Sequence, residues 1–216
     1  MRRNGLDLRV ILALLVLVMV AGVVAVVAIG GQSSEHAKRE QAAAQHFEAA
    51  AVLDPPKAAP ALALHNYLGQ PVNIASYRGK VVLVTFLYTT CPDICPLITS
   101  DLRVALNEMG PAKASKVQII AVSVDPRVDT PKAVAAFLAR HEMTRRMQYL
   151  IGTPRELGRV WEAWGVGSQR DLEQPQFVNH TGIVYGITAS GERLTAYDPE
   201  FKPSEIVHDV PLLAAL

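Results

Sequence analysis

The fold is decided by residues 81–96, an apolar run that leads into two cysteines and two prolines. The stretch is Val81-Val82-Leu83-Val84-Thr85-Phe86-Leu87-Tyr88-Thr89-Thr90-Cys91-Pro92-Asp93-Ile94-Cys95-Pro96. Its first eight residues are apolar or β-branched, which indicates a central strand buried on both faces. Apolar residues then recur at spacings of three and four, at Ile94, Leu97, Ile98, Leu102, Ala105, Leu106 and Met109. That spacing predicts an amphipathic helix, which Gly110-Pro111 should stop.

Strands and helices are predicted to alternate along the rest of the chain. Strands are expected at Val117–Val124, Tyr149–Ile151, Ile183–Ile187 and Arg193–Tyr197, helices after Thr130 and Thr153, a hairpin around Gly69-Gln70-Pro71, a polar loop over residues 165–179, and a last helix broken at Pro211. This order is typical of an α/β sheet layered by helices. The loops after Tyr88 and Val124 should meet at one sheet edge, where open α/β sheets usually bind ligands.

The N-terminal part of the chain predicts a membrane anchor. Val10–Gly30 is almost wholly aliphatic and would span about 31 Å as a helix, enough to cross a bilayer. Arg2, Arg3 and Arg9 precede it with only Asp7 opposing them, so the N-terminus is expected to stay in the cytoplasm. A cleaved signal peptide would have a shorter apolar core. An uncleaved signal anchor is therefore favoured.

The predicted organisation has four parts. Residues 1–9 form a cytoplasmic N-terminus, 10–30 the transmembrane anchor, 31–60 a tether, and 61–216 a domain on the extracytoplasmic (periplasmic) side. The tether ends in Asp54-Pro55-Pro56-Lys57-Ala58-Ala59-Pro60, which favours an extended linker. The chain has 21 Lys and Arg against 20 Asp and Glu, a balance that argues against nucleic acid as a partner.

Both cysteines of the chain, Cys91 and Cys95, follow the first central strand. Asp93 as N-cap would put Cys95 and Pro96 in the first helical turn, where proline costs no hydrogen bond. The positive end of that helix is expected to lower the pKa of both thiols and favour thiolate. A disulfide across so short a loop would stabilise the fold by only about 2 kcal/mol. Thiol redox chemistry or soft-metal binding is therefore favoured over a structural disulfide.

A metal site needs at least one more ligand than the two thiols. Among the six histidines, His180 precedes the strand Ile183–Ile187, and in a thioredoxin-like fold its loop would lie beside the cysteine loop. The remaining histidines are His36 and His46 in the tether, whose roles stay open, His65 in the hairpin, His141 near a helix end and His208 in the last helix. Asp125, at the same edge as the cysteines, is a candidate for supporting the metal ligands, although an Asp-Pro turn is favoured. Asp93 is first of all an N-cap.

Three stretches resemble the Sco/SenC family, and the resemblance covers about residues 60–216. They are YRGKVVLVTFLYTTCPDICP at 77–96, VSVDPRVDTP at 122–131 and VNHT at 178–181. The family comprises membrane-anchored, thioredoxin-fold copper proteins that help to mature cytochrome c oxidase. The resemblance implies a thioredoxin-like fold with an N-terminal hairpin extension and copper ligands at Cys91, Cys95 and His180. An acidic residue often precedes this histidine in the family, whereas Asn179 does so here.

The function implied by the resemblance is that of a copper metallochaperone rather than an enzyme. It would bind one copper ion per chain, as Cu(I) or Cu(II), and serve the copper subunit of cytochrome c oxidase. Two thiolates and an imidazole suit copper, whereas zinc would normally take a fourth ligand. Other copper chaperones and a thioredoxin-like reductase, acting on a reversible Cys91–Cys95 disulfide, are the further expected partners.

Two alternative functions stay open at the level of sequence. A thiol–disulfide oxidoreductase would usually have two residues between its cysteines and an X-Pro before the facing strand. Here three residues separate the cysteines, and Asn179-His180-Thr181 occupies the second position. A redox or copper sensor would need the same site as a chaperone.

Overall fold

The structure is a computed structural model that describes residues 46–170, 178–180 and 182–216. The side chains of residues 168–170, 179 and 180 lie outside this description. The predicted cytoplasmic N-terminus, the predicted anchor at 10–30 and the first part of the predicted tether also lie outside it. No helix formed by the described residues has both the length and the apolar content needed to cross a bilayer.

The described residues form strands and helices that alternate through the centre of the chain. The strands are β1 (Ala51–Ala58), β2 (Ala63–Asn66), β3 (Pro71–Asn73), β4 (Val81–Leu87), β5 (Val117–Ser123), β6 (Met147–Ile151), β7 (Ser168–Arg170), β8 (Val178–His180), β9 (Val184–Ile187) and β10 (Glu192–Tyr197). The α-helices are α1 (Ile94–Ala114), α2 (Pro131–Arg140), α3 (Pro154–Trp164) and α4 (Pro203–Ala215). A 3-10 turn at Ile74–Tyr77 follows β3.

Eight of these strands make one mixed sheet, in the order β1-β10-β9-β4-β5-β6-β2-β3. The centre is parallel, because β4 pairs with β5 and β5 with β6 in the same direction. The outer strands are antiparallel, with β9 on β4 and β2 on β6. Every residue of β4 is buried, as the apolar run at 81–88 predicts. The α/β sheet and the hairpin extension, formed by β2 and β3, are thereby confirmed.

Helix starts follow the predicted caps. The side chain of Asp93 accepts the Ile94 N–H at the start of α1, and Thr130 caps α2 by accepting the Ala133 N–H at 3.2 Å. Thr153 and Glu156 form a reciprocal capping box at α3. These caps satisfy N–H groups that have no partner inside the helix. They set the point at which each crossover leaves the edge of the sheet where the parallel strands end.

The predicted tether is where the structure differs most from the sequence-based expectation. Ala51–Ala58, assigned to the tether at 31–60, forms the edge strand β1 and pairs with β10. The register shifts between Val52 and Lys57, so the Pro55-Pro56 pair falls in the irregular part of the strand. Proline has no N–H for a sheet ladder and is tolerated at edges and bulges. The Pro-rich stretch is therefore part of the domain.

Three smaller expectations also need correction. The predicted loop at 165–179 contains β7 and the start of β8, which pair antiparallel as a second, two-stranded sheet. Gly110 breaks α1 with φ +70°, but helical residues continue after Pro111 to Ala114. Pro211 does not break α4, which runs from Pro203 to Ala215. Packing explains this last result, because Ile206, Val210 and Leu213 are buried and tertiary contacts outweigh one lost hydrogen bond.

Candidate metal centre

The two cysteines lie together at the edge where the parallel strands end. Cys91 occupies the loop between β4 and α1, and Cys95 lies in the first turn of α1. Cys91 is 7% exposed and Cys95 is fully buried. The predicted placement of Cys91, Cys95 and the cap Asp93 relative to the helix start is confirmed.

The loop that carries Cys91 folds back over the first turn of α1. The Cys95 N–H points at the Cys91 sulfur, with 3.3 Å between nitrogen and Sγ. The Asp93 carboxylate lies 3.8 Å from the same sulfur, within reach of the thiol proton. The loop itself is held by the Cys91 N–H, which donates to the Tyr88 carbonyl at 3.2 Å. The Cys95 N–H can stabilise negative charge on the Cys91 sulfur, whereas the Asp93 carboxylate, as an acceptor, favours the protonated thiol.

Burial dominates the electrostatics of Cys95. Loss of solvent raises the pKa of the Cys95 thiol far above its ordinary value, and the hydrogen bond with Cys91 and the charge of Cys91 raise it further. The sequence-based expectation of a lowered pKa at the helix end is therefore wrong for Cys95. Desolvation outweighs the helix dipole, because Cys95 is fully buried. In the absence of a metal, Cys95 keeps its proton.

Tyr88 connects the cysteine loop to the strand that carries His180. Its hydroxyl accepts the Val178 N–H at 3.5 Å, and its side chain also hydrogen-bonds to Cys91. Burial raises the pKa of Tyr88 to about 12, so the phenol stays protonated. Sequence reasoning missed this residue, because its partner Val178 is 90 positions away along the chain.

The backbone of His180 ends strand β8, where it pairs with Ser168 of β7. It is two residues beyond Val178, the partner of Tyr88. The His180 side chain lies outside the described residues, as do those of Asn179 and Thr181. Among the residues whose side chains are described, no three His, Cys, Asp or Glu lie close enough to hold a metal ion. The described part of the centre is thus a pair of thiols.

Asp125 organises the turn that follows β5. Its carboxylate accepts Nε of Arg127 at 3.1 Å and Nη2 of Arg127 at 3.3 Å. Its carbonyl accepts the N–H groups of Val128 and Asp129. These contacts agree with the Asp-Pro turn favoured by the sequence. They place a buried carboxylate at the same edge as the cysteines.

Asp129, four residues later, is a buried carboxylate that sequence reasoning did not single out. It accepts the Thr89 N–H at 2.8 Å, the Ser123 hydroxyl at 2.6 Å and the Tyr149 hydroxyl at 3.0 Å. Burial raises its pKa, and these hydrogen bonds oppose the rise. A signal was present in the sequence, since Asp129 directly precedes the Thr130 cap, at the edge where the sequence predicts ligand binding.

The other described histidines are exposed or make contacts that do not involve the cysteines. His46 and His65 are exposed. His141 stands at the end of α2 with its ring centroid 4.6 Å from that of Phe137, and burial, then the neighbouring Arg140 and Arg103, lowers its pKa. His208 pairs with Asp209 at 2.8 Å. His36 lies outside the described residues.

Comparison with known proteins gives one consistent family. Residues 51–215 match the family model described as SCO1/SenC. The chain is 29% identical over 153 residues to the mouse protein named "Protein SCO1 homolog, mitochondrial". This match covers 69% of the chain but 52% of the mouse protein. The chain thus spans about half the length of that relative.

Two solved structures resemble this fold over most of their length. The solution structure of apo Sco1 from Thermus thermophilus is 29% identical, with a TM-score of 0.67, and the match covers 80% of this chain and 99% of that one. ScoI from Bradyrhizobium japonicum, solved with copper bound, is 28% identical with a TM-score of 0.63, covering 71% and 98%. The chain belongs to the SCO1/SenC family, and its fold is that of the thioredoxin-like Sco proteins.

Proposed function

We propose that this member of the SCO1/SenC family is a copper metallochaperone that holds one copper ion per chain through Cys91, Cys95 and His180. The observation that carries the proposal is the pair of cysteines at the start of α1, with the Cys95 nitrogen 3.3 Å from the Cys91 sulfur. The donor set fits the ion, because thiolate and imidazole are the soft and intermediate ligands that copper prefers. The copper-bound ScoI structure supports the choice of metal.

The residues around the thiols would prepare them for the metal. Cys95 keeps its proton while the site is empty, since burial raises its pKa. Copper binding would therefore release a proton from Cys95. A base in solution or on the protein that donates the copper would accept this proton. The Cys95 N–H and the helix end would stabilise negative charge on Cys91. Tyr88 would hold the β8 strand, and with it the backbone of His180, near the loop.

A reversible disulfide would close the site to copper. Because the Cys91 loop already lies over the first turn, the two sulfurs can form a bond by losing two protons and two electrons to a disulfide oxidant, which becomes a dithiol. The disulfide has no thiolate to offer a metal. A thioredoxin-like reductase outside the cytoplasm would restore the dithiol. Oxidised chain should bind no Cu(I) until it is reduced.

The proposed cellular role is to deliver copper to the copper subunit of cytochrome c oxidase, or to prepare its copper site. The family resemblance supports this client, and other copper chaperones would supply the ion. The predicted anchor at 10–30 would hold the domain on the extracytoplasmic side of the membrane. The metal is cargo in this role, so the chain is proposed as a carrier rather than an enzyme.

The experiment that tests the proposal compares copper loading with thiol–disulfide turnover. Purified full-length chain is reduced, loaded with Cu(I) without oxygen, desalted and assayed for copper. We expect one copper per chain, and loss of binding in Cys91→Ser and Cys95→Ser. The same preparations are given a disulfide substrate with excess reductant. Turnover without copper retention would instead favour the oxidoreductase.

A further inference from the structure

A single carboxylate ties the cysteine loop to the ends of two strands. Asp129 is 3% exposed and accepts hydrogen bonds from three different segments. The donors are the Thr89 N–H in the cysteine loop, the Ser123 hydroxyl at the end of β5 and the Tyr149 hydroxyl in β6. The three donor–acceptor distances lie between 2.6 and 3.0 Å. Asp129 thus joins a loop to a rigid part of the sheet.

The position of Thr89 gives this contact its importance. Thr89 is two residues before Cys91, and the carbonyl of the adjacent Tyr88 accepts the Cys91 N–H. Two hydrogen bonds therefore fix the backbone where the loop begins. One joins the Thr89 N–H to Asp129, and the other joins the Cys91 N–H to the Tyr88 carbonyl. Cys95, in contrast, is held by α1 itself. The distance between the two sulfurs depends on how firmly the loop is attached to the sheet.

The chemistry of the three donors explains why a carboxylate is used. The Thr89 N–H can only donate, and an ionised carboxylate accepts at both oxygens without offering a competing proton. An asparagine could accept from Thr89 only if the Ser123 and Tyr149 hydroxyls rotate to accept from its amide, and its neutral oxygen makes a weaker hydrogen bond than a carboxylate, so the contact would be weakened. An alanine would leave the half-buried Thr89 N–H without its carboxylate partner.

We propose that Asp129 is a positioning residue for the thiol pair: through Thr89 it holds the loop that carries Cys91 at a fixed distance from Cys95. The effect expected on copper affinity rests on the proposed function. The effect expected on disulfide formation concerns only the two thiols. Preorganised ligands bind more tightly, because less freedom is lost on binding. Two thiols that are held together also form a disulfide more readily, as a pair with a higher effective concentration.

Asp209 supplies a matched control. It too is a fully buried aspartate, and it accepts the Glu48 and Ala49 N–H groups at 2.9 and 3.0 Å and the Tyr197 hydroxyl at 3.0 Å. Its partners belong to the N-terminal segment, β10 and α4, and not to the cysteine loop. Replacing it should destabilise the fold in the same way as replacing Asp129, without releasing the loop.

The test uses full-length chain carrying Asp129→Ala, Asp129→Asn or Asp209→Asn. Cu(I) affinity is measured by competition with a chromophoric chelator. The dithiol–disulfide equilibrium is measured against dithiothreitol, in which oxidised dithiothreitol takes up two electrons and two protons. For Asp129→Ala we expect at least tenfold weaker Cu(I) binding and an equilibrium constant for disulfide formation at least threefold lower. Asp129→Asn should fall between Asp129→Ala and wild type, and Asp209→Asn should match wild type in both assays.

Each outcome bears on the proposal. Wild-type Cu(I) affinity and a wild-type disulfide equilibrium in Asp129→Ala would overturn the inference. If Asp129→Ala fails to fold, the same two results in Asp129→Asn would overturn it. Equal losses in Asp129→Asn and Asp209→Asn would show a general effect of stability, which also overturns it. If the wild type binds no Cu(I), the proposed function fails, while the dithiothreitol equilibrium still tests the positioning role.

Discussion

His180 is the residue on which the proposed three-ligand copper site depends. Its backbone ends β8, and Tyr88 holds that strand near the cysteine loop through Val178. Removing the imidazole in His180→Ala should leave two thiolates, and we expect Cu(I) affinity to fall at least tenfold with an altered Cu(II) absorption spectrum. Metal titration with a competing chelator measures this.

The matched control for that experiment is His65→Ala. His65 is exposed on the hairpin strand β2, so its removal should leave both affinity and spectrum unchanged. An unaltered affinity and spectrum in His180→Ala would rule out His180 as the third ligand.

His208 gives a residue-scale prediction about pH. The hydrogen bond to the buried Asp209 raises the pKa of His208 above its ordinary value of 6.5. The folded chain therefore binds this proton more tightly than the unfolded chain. The resulting stability is fully present below pH 6.5 and is lost as the pH rises through the higher folded value.

The effect should be small, because the His208 side chain is 46% exposed and solvent screens the pair. Urea unfolding at pH 5.5 and pH 8 should show a larger fall in the free energy of unfolding for wild type than for His208→Gln. Equal falls would mean that the pair does not contribute.

The part of the site that sequence could predict is the part that is local. Cys91, Asp93 and Cys95 lie within five positions, so the rules of helix starts place them relative to one another. The contacts of Thr89 with Asp129 and of Tyr88 with Val178 span 40 and 90 positions. Such contacts depend on how strands pair, which no local pattern specifies. The pKa of Cys95 was mispredicted for the same reason, since its burial is a tertiary property.

At the scale of elements, strand β1 and the residues before it form a clasp on the domain. The clasp, defined as residues 46–58, includes the buried Phe47, the two N–H groups that reach Asp209 and the pairing with β10. We expect a fragment of residues 60–216 to be less stable than one of residues 46–216. Loss of Phe47 burial alone should cost about 2 kcal/mol, and Asp209 would lose two donors.

Urea unfolding of the two fragments measures that difference. Phe47→Ala in the longer fragment is the control that separates side-chain burial from strand pairing, and it should cause only part of the loss. Equal stability of the two fragments would show that the clasp is not part of the folded unit.

Strands and helices were predicted correctly where apolar spacing and cap residues specify them. The predictions were wrong where contact with a neighbouring element outweighs local amino-acid composition. The β4 run and the capped starts of α1, α2 and α3 follow directly from apolar spacing and cap residues. The Pro-rich clasp has the composition of a linker, yet it is a strand because β10 offers a free edge. Pro211 stays within α4 because the apolar face of that helix is buried in the core. In both cases the neighbouring element decides.

At the scale of the whole molecule, the anchor proposed at residues 10–30 is expected to serve location rather than copper binding. Both cysteines and the clasp belong to the unit formed by residues 46–216. A chain lacking residues 1–31 retains the clasp and both cysteines, so it should fold and bind one Cu(I) in vitro as the full chain does. In cells, exported but not held at the membrane, it should mature cytochrome c oxidase less well, because the proposed client lies in the membrane and tethering raises the local concentration. Copper stoichiometry of the truncated protein and oxidase activity of cells that carry it measure the two halves of this prediction. Loss of copper binding in the truncated protein would place the anchor within the binding machinery, and full oxidase activity would show that membrane proximity is dispensable.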